Sequence, residues 1–387
     1  MKSEWQTKKI GEVVDIRRGS SPRPIHKFLA TEGMPWVKIA DATSDTSRYI
    51  WKTNEFIIED GVTKSVKVAP ETLIVSNSAT PGLPKIMKIT ACVHDGWLVF
   101  SNYRGITRDF LYYKFIDVRR TLVNQANGSV FQNLKTDIVK DFDIDIPCIE
   151  TQKKIVGILS QIDEKIELNN AINNNLEQQA KALYKDWFLD FSPFSSDGNL
   201  PDGWHLGTVG DIIQLHDSKR VPLSGAERDK MAKVYPYYGA TSLMDYVDNY
   251  LFDGVYLLLG EDGTVVDSLG FPILQYVYGQ FWVNNHAHII TGKEGFSVEE
   301  LYLFFSLTNI KSIVTGAVQQ KVSQQNLKKV PAIIPSKEAL SAFDEIIQPI
   351  FTQIRNLRDE NANLARLRDT LLPKLMSGEL DVSDIDL

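Results

Sequence analysis

The chain has 387 residues, of which 43% are hydrophobic and 24% are charged, which is typical of a globular protein with two or three domains. Its formal net charge of -7 argues against nucleic-acid binding by the chain as a whole. Only Cys92 and Cys148 are present, too few for a disulfide framework or a cysteine zinc site. Since we find neither an apolar run of membrane-spanning length nor an apolar signal segment, we expect a cytoplasmic protein.

The charge is distributed unevenly along the chain. Residues 1–140 hold 21 Lys and Arg against 14 Asp and Glu, a net of +7. Residues 200–335 hold 10 against 14, a net of -4. The first block therefore suits contact with phosphates, whereas the second block gives no such support.

In chain order, the pattern predicts a domain, a long helix, a linker, a second domain, a second long helix and a tail. The predicted bounds are 1–148, 149–191, 192–203, 204–335, 336–378 and 379–387. Each domain mixes short β-like runs with one shorter helix, roughly 108–126 in the first and 298–314 in the second. The second of these helices begins with a capping box, Ser297-x-x-Glu300.

Both long helices carry an apolar seam with alternating steps of four and three residues, which is typical of a coiled coil. The predicted seam residues are Ile155, Leu159, Ile162, Ile166, Leu176 and Leu183, then Phe343, Ile347, Ile350, Ile354, Leu364 and Leu371. We expect the helices to pair with each other, antiparallel. The alternative is that each packs on its own domain. Polar seam positions Asn169, Asn173 and Asn361 can fix the register, and Pro373 should kink or stop the second helix.

The two halves repeat each other. Trp5-x5-Gly11-Glu12 recurs as Trp204-x5-Gly210-Asp211, Leu111-Tyr112 recurs as Leu301-Tyr302, and Ile146-Pro147 recurs as Ile334-Pro335. The features keep their order, so we interpret them as an internal duplication. The predicted fold class is α+β, with two repeated mixed α/β domains joined by a pair of long antiparallel coiled-coil helices.

The sequence lacks the motifs of a catalytic chain. It has no Pro-Pro for an amino-methyltransferase signature, and Gly292-Lys293 is followed by Glu294, which does not fit a phosphate loop. We interpret Gly260-Glu261-Asp262-Gly263 as a turn between strands. His286-x-His288 could supply two metal ligands, but no third is evident. We predict no catalytic centre, no metal and no cofactor.

A family resemblance covers essentially the whole chain. It is carried by Leu200-Pro201-x-Gly203-Trp204, Tyr237-Tyr238-Gly239-Ala240, Phe281-Trp282-Val283-Asn284-Asn285-His286-Ala287-His288, Ile146-Pro147-x-x-Glu150-x-Gln152, Trp187-Phe188-x-Asp190-Phe191 and Leu371-Leu372-Pro373-Lys374-Leu375-Met376-Ser377-Gly378. In this order, these stretches resemble the specificity (S) subunit of a type I restriction–modification system.

The resemblance implies two target-recognition domains that each read one half of a bipartite site in double-stranded DNA, spaced by the coiled coil. It also implies two modification (M) subunits that use S-adenosylmethionine, and restriction (R) subunits that cleave DNA with ATP. The second half departs from the pattern because Leu340 stands where the first has Gln152. That departure puts the second helix start in doubt as a point of partner contact.

Base reading and phosphate contact need polar and basic side chains on loops. In the first domain the candidates are Arg17, Arg18, Ser20, Arg23, Ser76, Asn77, Ser78, Thr80, Lys85, Asn127, Ser129 and Gln132. In the second they are Lys219, Arg220, Tyr238, Thr241, Ser242, Asn285, Thr315, Gln319, Gln320 and Lys321. Each of these turns could instead be only solvated surface, and Tyr237 and Tyr238 could be core aromatics.

Two other functions stay open from the sequence. A structural adaptor could hold two protein-binding domains on a coiled coil without meeting DNA. The basic first domain counts against it, and the acidic second domain favours it. A single-chain enzyme is disfavoured by the missing motifs.

Overall fold

A computed structural model describes residues 5–43, 47–126, 133–316 and 319–385. Its contacts divide the chain into two compact units. The first unit holds the chain up to Asn169 together with the chain from Glu360 onward, and the second holds Asn170–Asp359. Each unit therefore combines one of the predicted domains with parts of both long helices. Of the helices in the described residues, none is both long enough and apolar enough to span a membrane.

The first unit is built from short strands and a few helices. Its strands are β1 (Gln6–Lys9), β2 (Asp15–Arg18), β3 (Leu29–Ala30), β4 (Met34–Val37), β5 (Tyr49–Ile50), β6 (Glu55–Ile57), β7 (Val66–Val68), β8 (Leu73–Ser76), β9 (Pro84–Met87), β10 (Ala91–Val93), β11 (Trp97–Ser101) and β12 (Asp143–Ile146). Its helices are α1 (Ile10–Val13), α2 (Ile39–Thr43), α3 (Glu59–Val62), α4 (Arg108–Ala126), α5 (Thr136–Lys140) and the first part of α6 (Ile149–Phe188).

Two five-stranded sheets form the body of this unit, in the orders β3-β6-β4-β10-β7 and β2-β11-β8-β9-β5. The pairs β4–β10 and β5–β9 are parallel, and the other pairs in these two sheets are antiparallel. A separate pair, β1–β12, leads into α6. Strands β8 to β10 are buried along their whole length, so they lack the polar–apolar alternation of a half-exposed sheet.

The second unit has one larger sheet. Its strands are β13 (His205–Thr208), β14 (Ile213–Leu215), β15 (Tyr235–Tyr238), β16 (Leu243–Val247), β17 (Phe252–Gly260), β18 (Asp262–Gly263), β19 (Leu274–Val283), β20 (Ala287–Gly292), β21 (Gln320–Lys321) and β22 (Pro331–Ile334). Its helices are α7 (Val209–Ile212), α8 (Gly225–Arg228), α9 (Val298–Leu307), α10 (Gln324–Leu327) and the first part of α11 (Lys337–Met376). The sheet order is β14-β20-β17-β19-β15-β16, with separate pairs β13–β22 and β18–β21.

The sequence repeat is also a structural repeat. In each unit a strand, a four-residue helix and a second strand follow the repeated Trp, as β1–α1–β2 and as β13–α7–β14. A Cβ on Gly11 would lie 3.2 Å from the carbonyl oxygen of Lys140, and a Cβ on Gly210 would lie 3.2 Å from that of Lys328. In both repeats a Cβ would make an unusually tight contact at the same place, which favours the glycine of the repeated motif.

The helix predictions need small corrections. Helix α4 has the predicted extent, but α9 ends at Leu307, where Thr308 adopts an extended backbone conformation, instead of continuing to 314. Helix α11 continues past Pro373 to Met376, because a proline so near the end removes little of the backbone hydrogen-bond pattern. The two long helices, α6 and α11, are 40 residues each.

Within each unit the long helices run antiparallel to each other. In the first unit Asn169 donates to Asn361 Oδ1 at 2.9 Å and to Glu360 Oε2 at 2.8 Å, and Arg368 Nη1 donates to Asp163 Oδ1 at 2.9 Å. Residue numbers thus rise on α6 as they fall on α11.

The second unit shows the same antiparallel pairing. The Phe343 ring lies 5.3 Å from that of Trp187 and 4.8 Å from that of Phe188. These contacts set the start of α11 against the end of α6.

The helices also enter the domain cores, so both expected modes of packing occur together. Of the predicted seam residues, Ile155, Leu159, Phe343, Ile347 and Ile354 are buried, and the other seven are half-buried. The seam prediction did not include Phe351, Leu357, Leu372, Leu375 and Met376, which are buried as well. A helix that packs on both another helix and a domain needs an apolar face wider than two positions per heptad.

Candidate nucleic-acid interface

In the first unit, three loops converge on Asp95. Its carboxylate accepts from Ser21 Oγ at 2.6 Å and pairs with Arg23 Nη2 at 3.3 Å. Its carbonyl oxygen accepts from Arg18 Nε at 2.8 Å and from Asn77 Nδ2 at 3.0 Å. The hydrogen bond from Ser21 lowers the pKa of Asp95 below its usual value, so the carboxylate stays charged and holds the cations. Two predicted DNA-contact segments are thereby brought together, although they are more than 50 residues apart in sequence.

Several of these side chains face solvent. Arg17, Arg18 and Arg23 are exposed, and Arg17 contacts the Lys67 carbonyl oxygen at 3.3 Å. Ser20 and Ser78 are half-buried. Three arginines on one loop and the adjoining strand give a surface with the charge needed for phosphate contact.

Other predicted contact residues have structural roles. Lys85 lies in the buried strand β9, is only 4% exposed and donates to the Ser47 carbonyl oxygen, so it does not lie on the predicted polar loop. Ser76 is fully buried, and its hydroxyl donates a hydrogen bond to the Thr80 carbonyl oxygen across the turn. Asn77 is 4% exposed. These residues shape the loop instead of presenting their own side chains. Asn127, Ser129 and Gln132 lie outside the described residues.

In the second unit, Arg220 is the centre of a charged cluster. Its Nη1 donates to Glu261 Oε2 at 2.6 Å and to the Ala287 carbonyl oxygen at 2.8 Å. Glu261 also lies 3.6 Å from Lys321 Nζ. The predicted segments that hold Arg220 and Lys321 therefore meet at the Glu261 turn, although about 100 residues separate them.

A buried pair lies beneath this cluster. His288 is fully buried, with Nδ1 2.6 Å from Asp217 Oδ2 and Nε2 2.8 Å from the Val322 carbonyl oxygen. Burial raises the pKa of Asp217, but the hydrogen bond and charge of His288 outweigh it, so this pKa is lowered overall. Both ring nitrogens of His288 therefore lie within hydrogen-bond distance of an oxygen, which fixes the orientation of the ring.

Asp217 begins the turn that carries the predicted basic residues. Its Oδ1 also accepts from the Ile289 backbone amide at 2.9 Å, and its Oδ2 accepts from Gln324 at 2.5 Å. These bonds hold the turn onto β20, which leaves Lys219 exposed and Arg220 directed at Glu261.

The remaining predicted residues of this unit lie on turns around the cluster. Thr315, Gln319, Gln320 and Lys321 are exposed, and β21 pairs with β18 through Lys321–Asp262 and Gln320–Gly263. Gln319 and Gln320 line an open cleft of about 610 Å³ together with Asp267. Thr241 and Ser242 are exposed between β15 and β16. Asn285 is exposed on the β19–β20 turn.

The two aromatic residues differ in burial. Tyr237 is a core residue whose hydroxyl accepts from the Leu223 backbone amide at 3.0 Å. Tyr238 is half-buried, and its ring lies edge-on to Phe281 at 5.9 Å.

The groups that hold both clusters in place were missed by the sequence interpretation. They are the acidic residues Asp95, Asp217 and Glu261. Asp95 and Glu261 lie in Gly-containing turns. They were not predicted because acidic side chains were not considered as candidates for DNA contact. Asp217, Glu261 and His288 also form a group of metal-ligand type, but Arg220 lies against both carboxylates. A cation at this group would compete with the guanidinium.

The family residue Gln152 is fully buried. Its Oε1 accepts from the Thr107 backbone amide at 2.8 Å, and its Nε2 donates to the carbonyl oxygens of Gly105 and Pro147, both at 2.9 Å. It therefore joins α4 to the start of α6 within the first unit. Leu340, the corresponding residue of the second repeat, is a 2% exposed apolar residue. The difference between the repeats is one of internal packing and not of an exposed partner contact.

Comparison with known proteins covers nearly the whole chain. The family model described as the type I restriction modification DNA specificity domain matches twice, over residues 2–178 and 201–366. The two matches confirm the internal duplication.

Two relatives align over nearly their whole length. The chain is 26% identical to the type I restriction enzyme MjaIX specificity subunit of Methanocaldococcus jannaschii, over 99% of this chain and 95% of that one. It is 25% identical to the HindI specificity subunit of Haemophilus influenzae, over 98% and 100%.

A solved structure has the same fold. The S subunit of a type I restriction–modification system from M. genitalium superposes with a TM-score of 0.56 at 17% sequence identity, covering 97% of this chain and 96% of that one. The expected fold class, two repeated α/β domains with long helices, is thereby confirmed.

Proposed function

The chain belongs to the type I restriction–modification DNA specificity family, and we propose that each of its two recognition domains reads one half of a bipartite site in double-stranded DNA. As a member of this family of specificity subunits, the chain supplies sequence specificity and no catalysis. The structural-adaptor alternative is not favoured, because the relatives that align with this chain over nearly the full length are specificity subunits.

The observation that carries the proposal is the convergence of loops in each unit. Each unit gathers predicted contact residues from distant segments around a fixed acidic group, Asp95 in the first and Glu261 in the second. Such a group pre-positions arginine and lysine side chains without neutralising all of them, because Arg17 and Lys219 remain exposed. Pre-positioned cations lower the entropic cost of binding.

The exposed residues are the ones we propose as DNA contacts. In the first unit they are Arg17, Arg18 and Arg23, with Ser20, Ser78 and Thr80 beside them. In the second they are Lys219, Thr241, Ser242, Asn285, Thr315, Gln319, Gln320 and Lys321. Arg and Lys suit phosphates and guanine, and Asn and Gln suit adenine edges.

We further propose that the chain assembles with two M subunits, which bring S-adenosylmethionine and methylate adenine, and with R subunits. The chain would then work in the cytoplasm, where the host DNA is. In this proposal α6 and α11 serve as the spacer of the assembly, and each helix is about 60 Å long at about 1.5 Å per residue.

The test is DNA binding by the full chain with and without its candidate M subunits. The host methylome first identifies the bipartite target, and a mobility-shift assay then compares that duplex with one in which either half-site is scrambled. We expect selective binding by the complex that is lost when either half is scrambled. Binding that is indifferent to both halves would reject the proposal in favour of the adaptor.

A further inference from the structure

The first unit contains an open cleft of about 860 Å³ whose interior lies beside the proposed base and phosphate contacts. Its apolar lining includes Pro22, Trp36, Ile39 and Ala40. It lies within one unit and adjoins two candidate DNA loops, because Ser21, Arg23 and Ser78 also line it. A cleft of this volume could hold one nucleotide with room for water.

His94 lines the cleft and can offer it a hydrogen-bond donor. His94 accepts from the Gly96 backbone amide through Nδ1 at 2.7 Å, so the neutral ring carries its proton on Nε2. Burial lowers the pKa of His94, which favours this neutral form. Within the described parts of the chain, no hydrogen bond involves Nε2, and the side chain is 19% exposed at the cleft. A ligand with an acceptor atom would complete this ring's hydrogen bonding.

Local backbone structure maintains the orientation of this ring. A Cβ on Gly96 would lie 2.1 Å from His94 Cε1, so only glycine lets the ring fold back onto the following amide. The Trp36 ring centroid lies 6.2 Å from that of His94 and supports the ring from one side. The donor is therefore preorganised in the absence of any ligand.

The rim of the cleft is cationic. The Arg23 side chain is 78% exposed and Lys38 is 43% exposed, each paired with one carboxylate, Asp95 and Glu55 respectively. They lie in the sequence block of net charge +7. An apolar interior with one donor and a cationic rim is complementary to a flat heterocycle that carries a phosphate.

We propose that this cleft binds a single nucleotide, with the base between the apolar walls, an acceptor atom of the base on His94 Nε2–H and the phosphate at the rim. The inference rests on DNA reading by this domain for its preferred source of the nucleotide, a base displaced from the bound duplex. A free mononucleotide has the same chemistry and is the second source. Unstacking a base costs a few kcal/mol, which the buried contacts offset.

The first arm tests the cleft with free ligands. Saturation-transfer NMR on the full chain uses the four 2′-deoxynucleoside 5′-monophosphates as probes. The variant Ala40→Phe fills the cleft from an exposed position of α2, and Thr43→Phe adds the same ring elsewhere on that helix as the matched control. We expect saturation of base protons in the natural chain and in Thr43→Phe, and its loss in Ala40→Phe at an unchanged melting temperature.

The second arm identifies the source. With M subunits and target duplex, 2-aminopurine is placed at each position of the half-site that the first domain reads. A several-fold rise in fluorescence at one position, abolished by Ala40→Phe, assigns the cleft to a displaced base. Mononucleotide saturation without such a rise assigns it to a free nucleotide, which retains the inference.

Neither signal, in a complex that still binds its target, would overturn the inference and leave the proposed function standing. If target binding itself fails, the proposed function fails. The mononucleotide experiment then tests the cleft by itself. Saturation transfer that Ala40→Phe removes supports the inference, and the absence of saturation transfer rejects it.

Discussion

At the scale of single residues, the two units hold basic side chains in different ways. In the first, the arginines lie at the surface, and Asp95 fixes Ser21, Arg23 and Asn77 around itself. In the second, the guanidinium of Arg220 donates to Glu261 and to three backbone carbonyl oxygens, so its charge is already paired before DNA arrives. We therefore expect phosphate attraction to come mainly from the first unit and shape or base-edge contacts to matter more in the second.

Replacing Arg17 with alanine tests the phosphate role. Because the exposed Arg17 makes one hydrogen bond among the described residues, to the Lys67 carbonyl oxygen, the change should leave stability nearly unaltered. It should weaken binding to all sequences and lower the slope of log K against log salt by about 0.9. The check is a binding titration of the assembled complex at several salt concentrations. Lys140→Ala, exposed at the end of α5, is the control and should keep the slope. An unchanged slope in Arg17→Ala would exclude Arg17 as a phosphate contact.

Replacing Asp217 with asparagine should destabilise the second unit. The change removes a buried carboxylate charge that lies 2.6 Å from His288 Nδ1 and 3.7 Å from Arg220 Nη2, at an expected cost of about 3–5 kcal/mol. Urea denaturation of the full chain measures it, with Asp229→Asn as the exposed control in the same domain. A loss no larger than that of the control would show that the pair does not hold the turn.

The Asp217→Asn change should also alter how the stability of the chain depends on pH. The folded pKa of Asp217 lies below its usual value of 3.8, so its ionised form contributes stability at neutral pH. That contribution is lost as the pH falls through the folded pKa. The variant should therefore lose less stability than the natural chain between neutral and strongly acid pH. Parallel acid limbs in the two proteins would contradict this assignment.

At the scale of elements, the long helices do more than pair with each other. Phe343 on α11 is fully buried and lies within 6 Å of the rings of Tyr184, Trp187 and Phe188 at the end of α6. The cost of truncating such a residue combines lost transfer free energy with a cavity. The helix pair and the domain core share this cluster, so the second unit should unfold as one piece.

The variant Phe343→Ala should destabilise the chain by about 3–5 kcal/mol. Ile346→Ala, one turn further along the same helix and 41% exposed, should cost far less. Urea denaturation followed by circular dichroism compares them. Equal losses in the two variants would mean that α11 does not bury this face.

The sequence predicted the elements with strong periodicity and missed those set by tertiary contacts. The repeated Trp and Gly motif and the long helices were evident, since their signals extend over many residues. The inward direction of Lys85 was not, because β9 is buried throughout and has no alternation to read. Loop convergence on Asp95 depends on strand order, which local patterns do not contain.

At the scale of the whole molecule, the net charge of -7 limits what the chain does alone. Phosphate neutralisation supplies much of the affinity for DNA, and an acidic chain loses part of it. The partner subunits must then contribute to DNA affinity as well as chemistry. The chain's own part is DNA-sequence specificity, as its family membership shows.

The pairing of the long helices also bears on the distance between the two half-sites in DNA. If antiparallel α6 and α11 space the recognition domains, the complex should accept one spacer length between half-sites. Each added base pair shifts a half-site by about 3.4 Å and rotates it by about 34°, which paired helices cannot follow. Methylation of a target library with spacers varied one base pair at a time measures this. We expect a single sharp optimum.

Changing the helices should move that optimum. Whole helical turns inserted at matching places within 155–187 and 343–375 keep the seam in register and lengthen both helices by about 5.4 Å per turn. The preferred spacer should lengthen and remain sharp, whereas an insertion in α6 alone breaks the pairing and should abolish methylation. The contrary result is a complex that still recognises both half-sites but methylates targets of every spacer length equally. That result would show that the helices do not set the distance between the half-sites, because only a flexible connection tolerates every spacer.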